Sequence, residues 1–493
     1  MADFINKNGL GGIIMWEFKG DMPYDSDQSL LKVASSKLKD KTIMGYWSDW
    51  SVYTAKAIPG EPYRVPGSID PATQKQVTNA DFTNKLDGMN ILTYAFLEAK
   101  PTGEVYFFDP WSDLSAGGGM GNFEAFAKLQ NTQGNLKKIM SIGGYGHDAS
   151  FEDAFKTETA MNTFVSSTKN IIDKYKIDGV DLDYEDPNMT KEQSQQFAVL
   201  VAKLRSAMPD KLIHITILSS PEYILGQNGI GFDSTAFTSI VKNASHINLM
   251  TYDFHGAFDY AGGTGKTGFL TNLHMPKEIS KDVAKFSIDT SVAAAIQAGA
   301  KPSQLSVGVP AYGRALANIP DTNDGLFQSM ANAKNVPKGN LDEPSCIDDI
   351  THATCSGSFE YSYIVNNMLK QGFTEHERVQ DGVSNGTTAY AETWQPKIAK
   401  AYKLSISNTG ALGIMVSVDA TGFGYTGPGQ TNTFDGTTNP TTSKISDKTD
   451  LKIHWDTYQG GPKGDCPAKL SFDHDVTINI AVDNQGHGVC SVK

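Results

Sequence analysis

The chain has 493 residues, 39% of them hydrophobic, and a formal net charge of −13. That length suits two to four ordinary domains, or one α/β barrel of about 250 residues with appendages. The negative balance argues against nucleic acid or an anionic membrane surface as partner, and no apolar run reaches the roughly 20 residues of a membrane span.

The start, MADFINKNGLGG, has no basic stretch followed by an apolar core, so no signal peptide is visible. Residues 9–21, GLGGIIMWEFKGD, contain a strand-like run carrying Trp16, and residues 26–38, SDQSLLKVASSKL, read as a capped helix. Short apolar runs ended by Gly, Pro, Asp or Ser follow at 42–47, 89–96, 138–144, 177–185, 212–219, 246–253 and 305–312. Helix-like periodicity fills 151–175, 190–208 and 287–299. Strands alternating with helices predict a parallel α/β fold, and this many strands predict a TIM (β/α)8 barrel over an open sheet.

The strand DGVDLDYE, 178–185, carries the chemistry. Alternate side chains share a face, so Asp181, Asp183 and Glu185 lie together while Val180, Leu182 and Tyr184 face the other way. In a barrel the three acids point inward, with Glu185 at the C-terminal end where barrel enzymes place their chemistry. Stacked carboxylates cannot all ionise cheaply, so at least one keeps its proton toward neutral pH and becomes a general acid. A solvated acidic strand face is the plain alternative. A calcium loop is not, because Leu182 and Tyr184 stand where such a loop needs polar residues.

DGVDLDYE resembles the D-G-x-D-x-D-x-E signature of glycoside hydrolase family 18, the chitinases and their relatives. SIGG at 141–144 resembles the third-strand S-x-G-G of that family, MTYDF at 250–254 its sixth-strand M-x-Y-D-F, and GVPAYGR at 308–314 its seventh-strand P-x-Y-G-R. The resemblance covers about residues 40–315. It implies retaining, substrate-assisted hydrolysis of β-1,4-linked N-acetylglucosamine polymers (chitin) or their oligosaccharides, with no metal or cofactor. Glu185 is then the general acid/base, and the substrate's own 2-acetamido oxygen replaces a second carboxylate as nucleophile. Asp183 orients that acetamido group and shares a proton network with Asp181 and Glu185, while Tyr252 hydrogen-bonds the acetamido carbonyl. Asp253 and Arg314 contact the sugar, and Ser141, Gly143 and Gly144 keep the barrel floor narrow.

Tyr46, Trp47, Trp50, Tyr145 and Trp16 are the expected substrate-binding aromatics, with Trp111, Phe254 and Phe258 as weaker candidates. Tyr184 stands where N-glycan endo-β-N-acetylglucosaminidases tend to carry an acid, which favours a chitinase. Retention of Glu185 weighs against a lectin-like member without turnover. Both alternatives stay open here. The expected protein is a monomer that acts outside the cell, although no export signal is visible.

The family's strand 8 carries a Trp in a G-G-x-M-x-W pattern. At the expected place, GALGIMVSVDA at 410–420 offers Ser417 instead. Residues 9–21, GLGGIIMWEFKGD, resemble that strand and carry Trp16, so residues 1–38 are expected to supply strand 8 and its helix by circular permutation, with Trp16 as the sugar floor. The competing arrangement makes 1–38 the remnant of an upstream copy and lets 412–419 close the barrel. The remaining expectations are a catalytic barrel at 39–420 with an insertion at 315–375, a Gly/Thr-rich linker at 421–448, and a β-rich appendage at 449–493. Trp455 and Tyr458 are candidate carbohydrate contacts in that appendage. Four cysteines allow three pairings; local bridges Cys346–Cys355 and Cys466–Cys490 are the natural ones, against four reduced thiols.

Overall fold

The computed structural model describes residues 1–53, 83–115, 121–277, 286–342, 345–380, 383–390, 404–409, 414–418, 421–426, 428, 430–434, 452–457, 463–466, 476–482 and 488–492. Two compact units emerge, Met1–Glu392 and Thr393–Lys493.

Eight parallel strands form the centre of the first unit: β1 Gly12–Trp16, β2 Thr42–Ser48, β3 Ile91–Ala99, β4 Lys137–Gly143, β5 Gly179–Tyr184, β6 Leu212–Leu218, β7 His246–Met250 and β8 Leu305–Pro310. They run β2-β1-β8-β7-β6-β5-β4-β3, and β3 returns to β2, so the sheet closes into a barrel with helices between strands. This is the expected TIM barrel. The strand nearest the N-terminus lies between β2 and β8, with Ile13 opposite Ile43 and Trp16 opposite Pro310.

The segment joining β1 to β2 is fastened by Asp21. This buried carboxylate accepts from the backbone N–H groups of Leu30 and Leu31 and from the Ser29 hydroxyl. Ser29 in turn caps the helix Leu30–Lys37 through the Lys32 N–H. Those bonds satisfy donors that a helix start otherwise leaves orphaned.

Period-two alternation sorts the strand residues into two layers. Met15, Ile43, Trp47, Leu92, Met140, Ile142, Val180 and Leu182 pack in the large core that also contains helix residues. Ile14, Met44, Tyr46, Ile91, Ala95 and Ile139 form a small cluster of their own inside the barrel. The periodic stretch 151–175 is two helices, Asp148–Phe155 and Glu158–Tyr175, because Thr157 accepts from the Ala160 N–H and starts a new one.

After β8, Tyr312–Arg314 pairs antiparallel with Ser358–Glu360, and the Cys346–Cys355 disulfide lies in the chain between them. A hairpin of Thr374–Gln380 and Val383–Tyr390 follows, extending past the expected insertion end at 375.

The domain boundaries differ from expectation. Ile414–Val418 does not close the barrel: it pairs with Thr421–Thr426 and Ile453–Thr457 in the second unit, taking Ser417 with it. The segment expected as a linker contains the strands Thr421–Thr426 and Thr431–Phe434. Its Gly/Thr composition lacks a strong apolar signature, yet the ladder partners at Ile414–Val418 and Leu404–Asn408 supply the hydrogen bonds. The second unit begins at Thr393, well before 449, and among its described residues holds two four-stranded sheets, with the Cys466–Cys490 disulfide joining residues next to or within a strand of each. Trp455 is buried, with Gly464 against its ring, so it offers no open sugar platform. Tyr458 lies outside the described residues.

Candidate active site

β5 is buried on both faces, between β4 (Ser141 opposite Asp181, Gly143 opposite Asp183) and β6 (Asp183 opposite Thr216). Its alternation sends Val180, Leu182 and Tyr184 into the large core, leaving Asp181 and Asp183 to the barrel interior. Asp181 is fully buried and accepts from the Tyr46 hydroxyl at 2.9 Å, the Ser141 hydroxyl at 2.8 Å and the Thr216 hydroxyl at 2.8 Å. Burial pushes its carboxyl above the usual range, and these three donors pull against that rise.

Asp183 is also buried, and its Oδ1 has no hydrogen-bond partner among the described residues. Burial drives its carboxyl well up, followed by the negative neighbours Glu185, Asp181 and Asp148. Glu185 follows the end of β5 and is partly exposed. Burial first, then Asp148 and Asp253, push its carboxyl up to about 7. An acid that keeps its proton near neutrality at a strand's C-terminal end can act as a proton donor to a bound ligand.

Tyr252 follows β7, and Gly308 on β8 leaves room for its ring, since a Cβ there would sit 2.5 Å from it. Burial and the nearby Tyr312, Asp183, Glu185 and Asp253 raise the Tyr252 hydroxyl well above its ordinary range, so it remains a donor. Asp253 has left-handed backbone, φ 55°, and accepts from the Tyr312 hydroxyl at 2.8 Å and from Arg314 Nε and Nη2 at 2.6 and 2.7 Å. Asp253 and Arg314 thus hold one another in a two-pronged ion pair. A cavity of about 290 Å³ opens here, lined among others by Glu185, Ser219, Tyr223, Met250, Tyr252 and Asp253.

At the other side, Trp16 meets Tyr46 at 5.3 Å and Trp50 at 6.1 Å between ring centroids, and stacks on Phe96 at 5.6 Å. The two glycines of SIGG have positive φ, 108° at Gly143 and 91° at Gly144. A Cβ at Gly143 would lie 2.2 Å from the Asp183 carbonyl, and one at Gly144 would lie 2.8 Å from the Phe96 ring. Only glycine permits both the conformation and the approach.

Asp181, Asp183, Glu185, Tyr252, Tyr46 and Ser141 are therefore brought together, with Trp16 beside Tyr46 and Trp50 beside Trp16. Trp47 is not among them. Tyr46 points inward, so its neighbour must point outward: Trp47 is 2% exposed in the large core, and its Nε1 donates to Asn122 Oδ1 at 3.1 Å. Phe254 is likewise buried, against Phe286 at 4.6 Å. Tyr145 is exposed; Trp111 is exposed and stacks on Tyr53 at 5.6 Å; Phe258 lies under the Arg314 guanidinium.

Sequence reasoning missed Thr216, Phe96, Tyr312 and Asp148. Thr216 carried a signal: it is a polar residue two places from His214 in the otherwise apolar strand LIHITIL. Asp148, whose Oδ1 accepts the Glu185 backbone N–H at 3.0 Å, carried none, because the pair is 37 residues apart in the chain.

The family model for Glycosyl hydrolases family 18 matches residues 42–452. Chitinase A1 of Niallia circulans is 26% identical over 386 residues, covering 70% of this chain and 51% of the relative. Chitinase B of Serratia marcescens is 26% identical over 384 residues, covering 68% of this chain and 73% of the relative. The chain thus spans about half the length of the first of these. Among solved structures, the Ostrinia furnacalis Group IV chitinase in complex with allosamidin superposes with a TM-score of 0.54 at 22% identity, covering 72% of this chain and 84% of that one. That likeness bears on the fold.

Proposed function

The chain belongs to glycosyl hydrolase family 18, and from that premise we propose that it hydrolyses chitin, the β-1,4-linked polymer of N-acetylglucosamine, with retention of anomeric configuration. The observation that carries this reading is the inward column Asp181–Asp183–Glu185, ending beside Tyr252 at the C-terminal rim of the barrel. Glu185 donates its proton to the glycosidic oxygen as the bond to C1 breaks. The substrate's acetamido oxygen attacks C1 from the other face and forms an oxazolinium ion. Asp183, poorly able to ionise beside two other acids, shares a proton with them and holds the acetamido N–H. The Tyr252 hydroxyl donates to the acetamido carbonyl. Water then opens the ring, with Glu185 taking back a proton.

Trp16 and Tyr46 form the floor beneath the reacting sugar in this reading. That floor rests on a permuted chain order: the strand that family members place last comes first here. Support comes from β1 filling the slot between β2 and β8. Two disulfides fit work in an oxidising compartment outside the cell.

The test is product analysis on chitotriose and longer oligomers by NMR. The β-anomer in freshly formed product supports the proposal. The α-anomer overturns the mechanism, and tight oligomer binding without turnover would make the protein a lectin-like member.

A further inference from the structure

We propose that Asp148 is a positioning residue that anchors the Glu185 backbone and holds a carboxylate charge beside the proton-donating end of β5. The proposal rests on the reading of Glu185 as the general acid.

The loop after β4 grips the end of β5 twice. The Gly144 N–H donates to the Asp183 carbonyl at 3.0 Å, and the Glu185 N–H donates to Asp148 Oδ1 at 3.0 Å. Left-handed glycines at 143, 144 and 146 let the chain turn tightly enough to return Asp148 to this point. Asp148 then opens the helix Asp148–Phe155, which fixes it on a regular element.

A backbone N–H needs only an acceptor there, and an uncharged Asn, Ser or Thr would serve. The charge is the additional feature. Asp148 is partly buried, and its own carboxyl is pushed up by burial, which marks a site where charge is poorly solvated. Two carboxyls sharing such a site repel, and the one at the reacting position holds its proton longer.

Asp183 lies below Glu185 on β5, and Asp253 faces it from the end of β7, with that charge tied to Arg314. Tyr252 and Tyr223 line the same cavity, and the Tyr223 hydroxyl is turned to the Met189 sulfur at 3.7 Å. Asp186 and His147 flank Asp148 with opposite effects, and Glu152, one turn along the helix, is occupied by the Tyr184 hydroxyl at 2.6 Å. After burial, the negative charges of Asp148 and then Asp253 act to raise the Glu185 carboxyl.

Asp148→Asn keeps the acceptor for the Glu185 N–H and removes only the charge. Asp148→Ser is the second variant, should the amide disturb folding. The readout is the shape of the pH profile of kcat/KM on a labelled chitotrioside, irrespective of plateau height. The expected result is an alkaline limb displaced toward acid by roughly 0.5–1 pH unit. An unmoved limb in both variants, with activity lowered equally at every pH, reduces Asp148 to a structural tie and overturns the proposal.

Carboxyl infrared difference titration separates this failure from a failure of the proposed function. With Glu185→Gln assigning the Glu185 band, the method reads its protonation without turnover. If no chitin oligomer is hydrolysed but the band titrates lower in Asp148→Asn, the functional reading fails while the electrostatic one stands. A band unmoved by Asp148→Asn overturns the inference.

Discussion

Trp16 on β1 stacks on Phe96 on β3 at 5.6 Å between ring centroids, 80 residues apart in the chain. The contact spans β2, which lies between those strands, and it joins the N-terminal segment to the barrel's C-terminal rim.

Trp16→Ala should lower turnover of chitin oligomers on the order of 10²-fold, since a misplaced sugar forfeits alignment with the proton donor. Thermal unfolding should change by only a few degrees. Deletion of residues 1–38 should be different in kind, because it removes β1 from between β2 and β8 and leaves both edges unpaired. Near-UV circular dichroism should show lost tertiary structure. A stable, fully active protein without those residues would refute the permuted arrangement.

Glu185→Gln should retain oligosaccharide binding and lose hydrolysis by roughly 10²–10⁴-fold, as expected for removal of a general acid. Calorimetric binding beside a rate assay checks both halves. Comparable turnover in variant and wild type would displace Glu185 from its role.

The Glu185 carboxyl, held up to about 7, also sets a direction in pH. The acid form is needed for the first step, and it is lost as pH rises through that value. The rate should therefore fall on the alkaline side of about pH 7, as read from initial rates in a buffer series at constant ionic strength.

A stability prediction comes from the short helices Asp49–Val52 and Pro110–Leu114. Burial and nearby acids push Asp49 and Asp113 each up to about 7. Each folded pKa lies above the unfolded one, so the associated stability is fully present below about pH 4 and is lost as pH rises through about 7. Asp113→Asn removes that dependence at one site and keeps an acceptor for the Tyr94 hydroxyl that bonds there. Its Tm relative to wild type should rise between pH 4 and pH 8 by a few degrees. A constant difference across that range would show that Asp113 carries no such cost.

In the second unit, Cys466→Ser with Cys490→Ser opens a bridge spanning 24 residues of sequence. Loss of about 3 kcal/mol is expected from the loop's regained freedom. Denaturant unfolding of the double variant beside wild type reads the loss.

Much of the site could be read from one strand, because a period of two places Asp181, Asp183 and Glu185 on one face whatever surrounds them. The same rule carried further would have excluded Trp47 once Tyr46 was turned inward; nearness in sequence to the cleft was the weaker guide. Strand order was partly legible too, since the Trp missing at 410–420 stands at 16 in a stretch resembling that strand. The barrel interior was less so: Thr216 reaches Asp181 only because β5 and β6 pair in one register. Composition failed at 421–434, where Gly and Thr suggest a linker, yet cross-strand hydrogen bonds from partners elsewhere in the chain make strands. The bond between Asp148 and Glu185 depended wholly on the fold. Periodicity governs which way neighbouring side chains point, but no local pattern records that a loop closing a different strand brings a carboxylate back to the reacting one. That is decided by sheet register and by the glycine turn that the packed barrel holds in place.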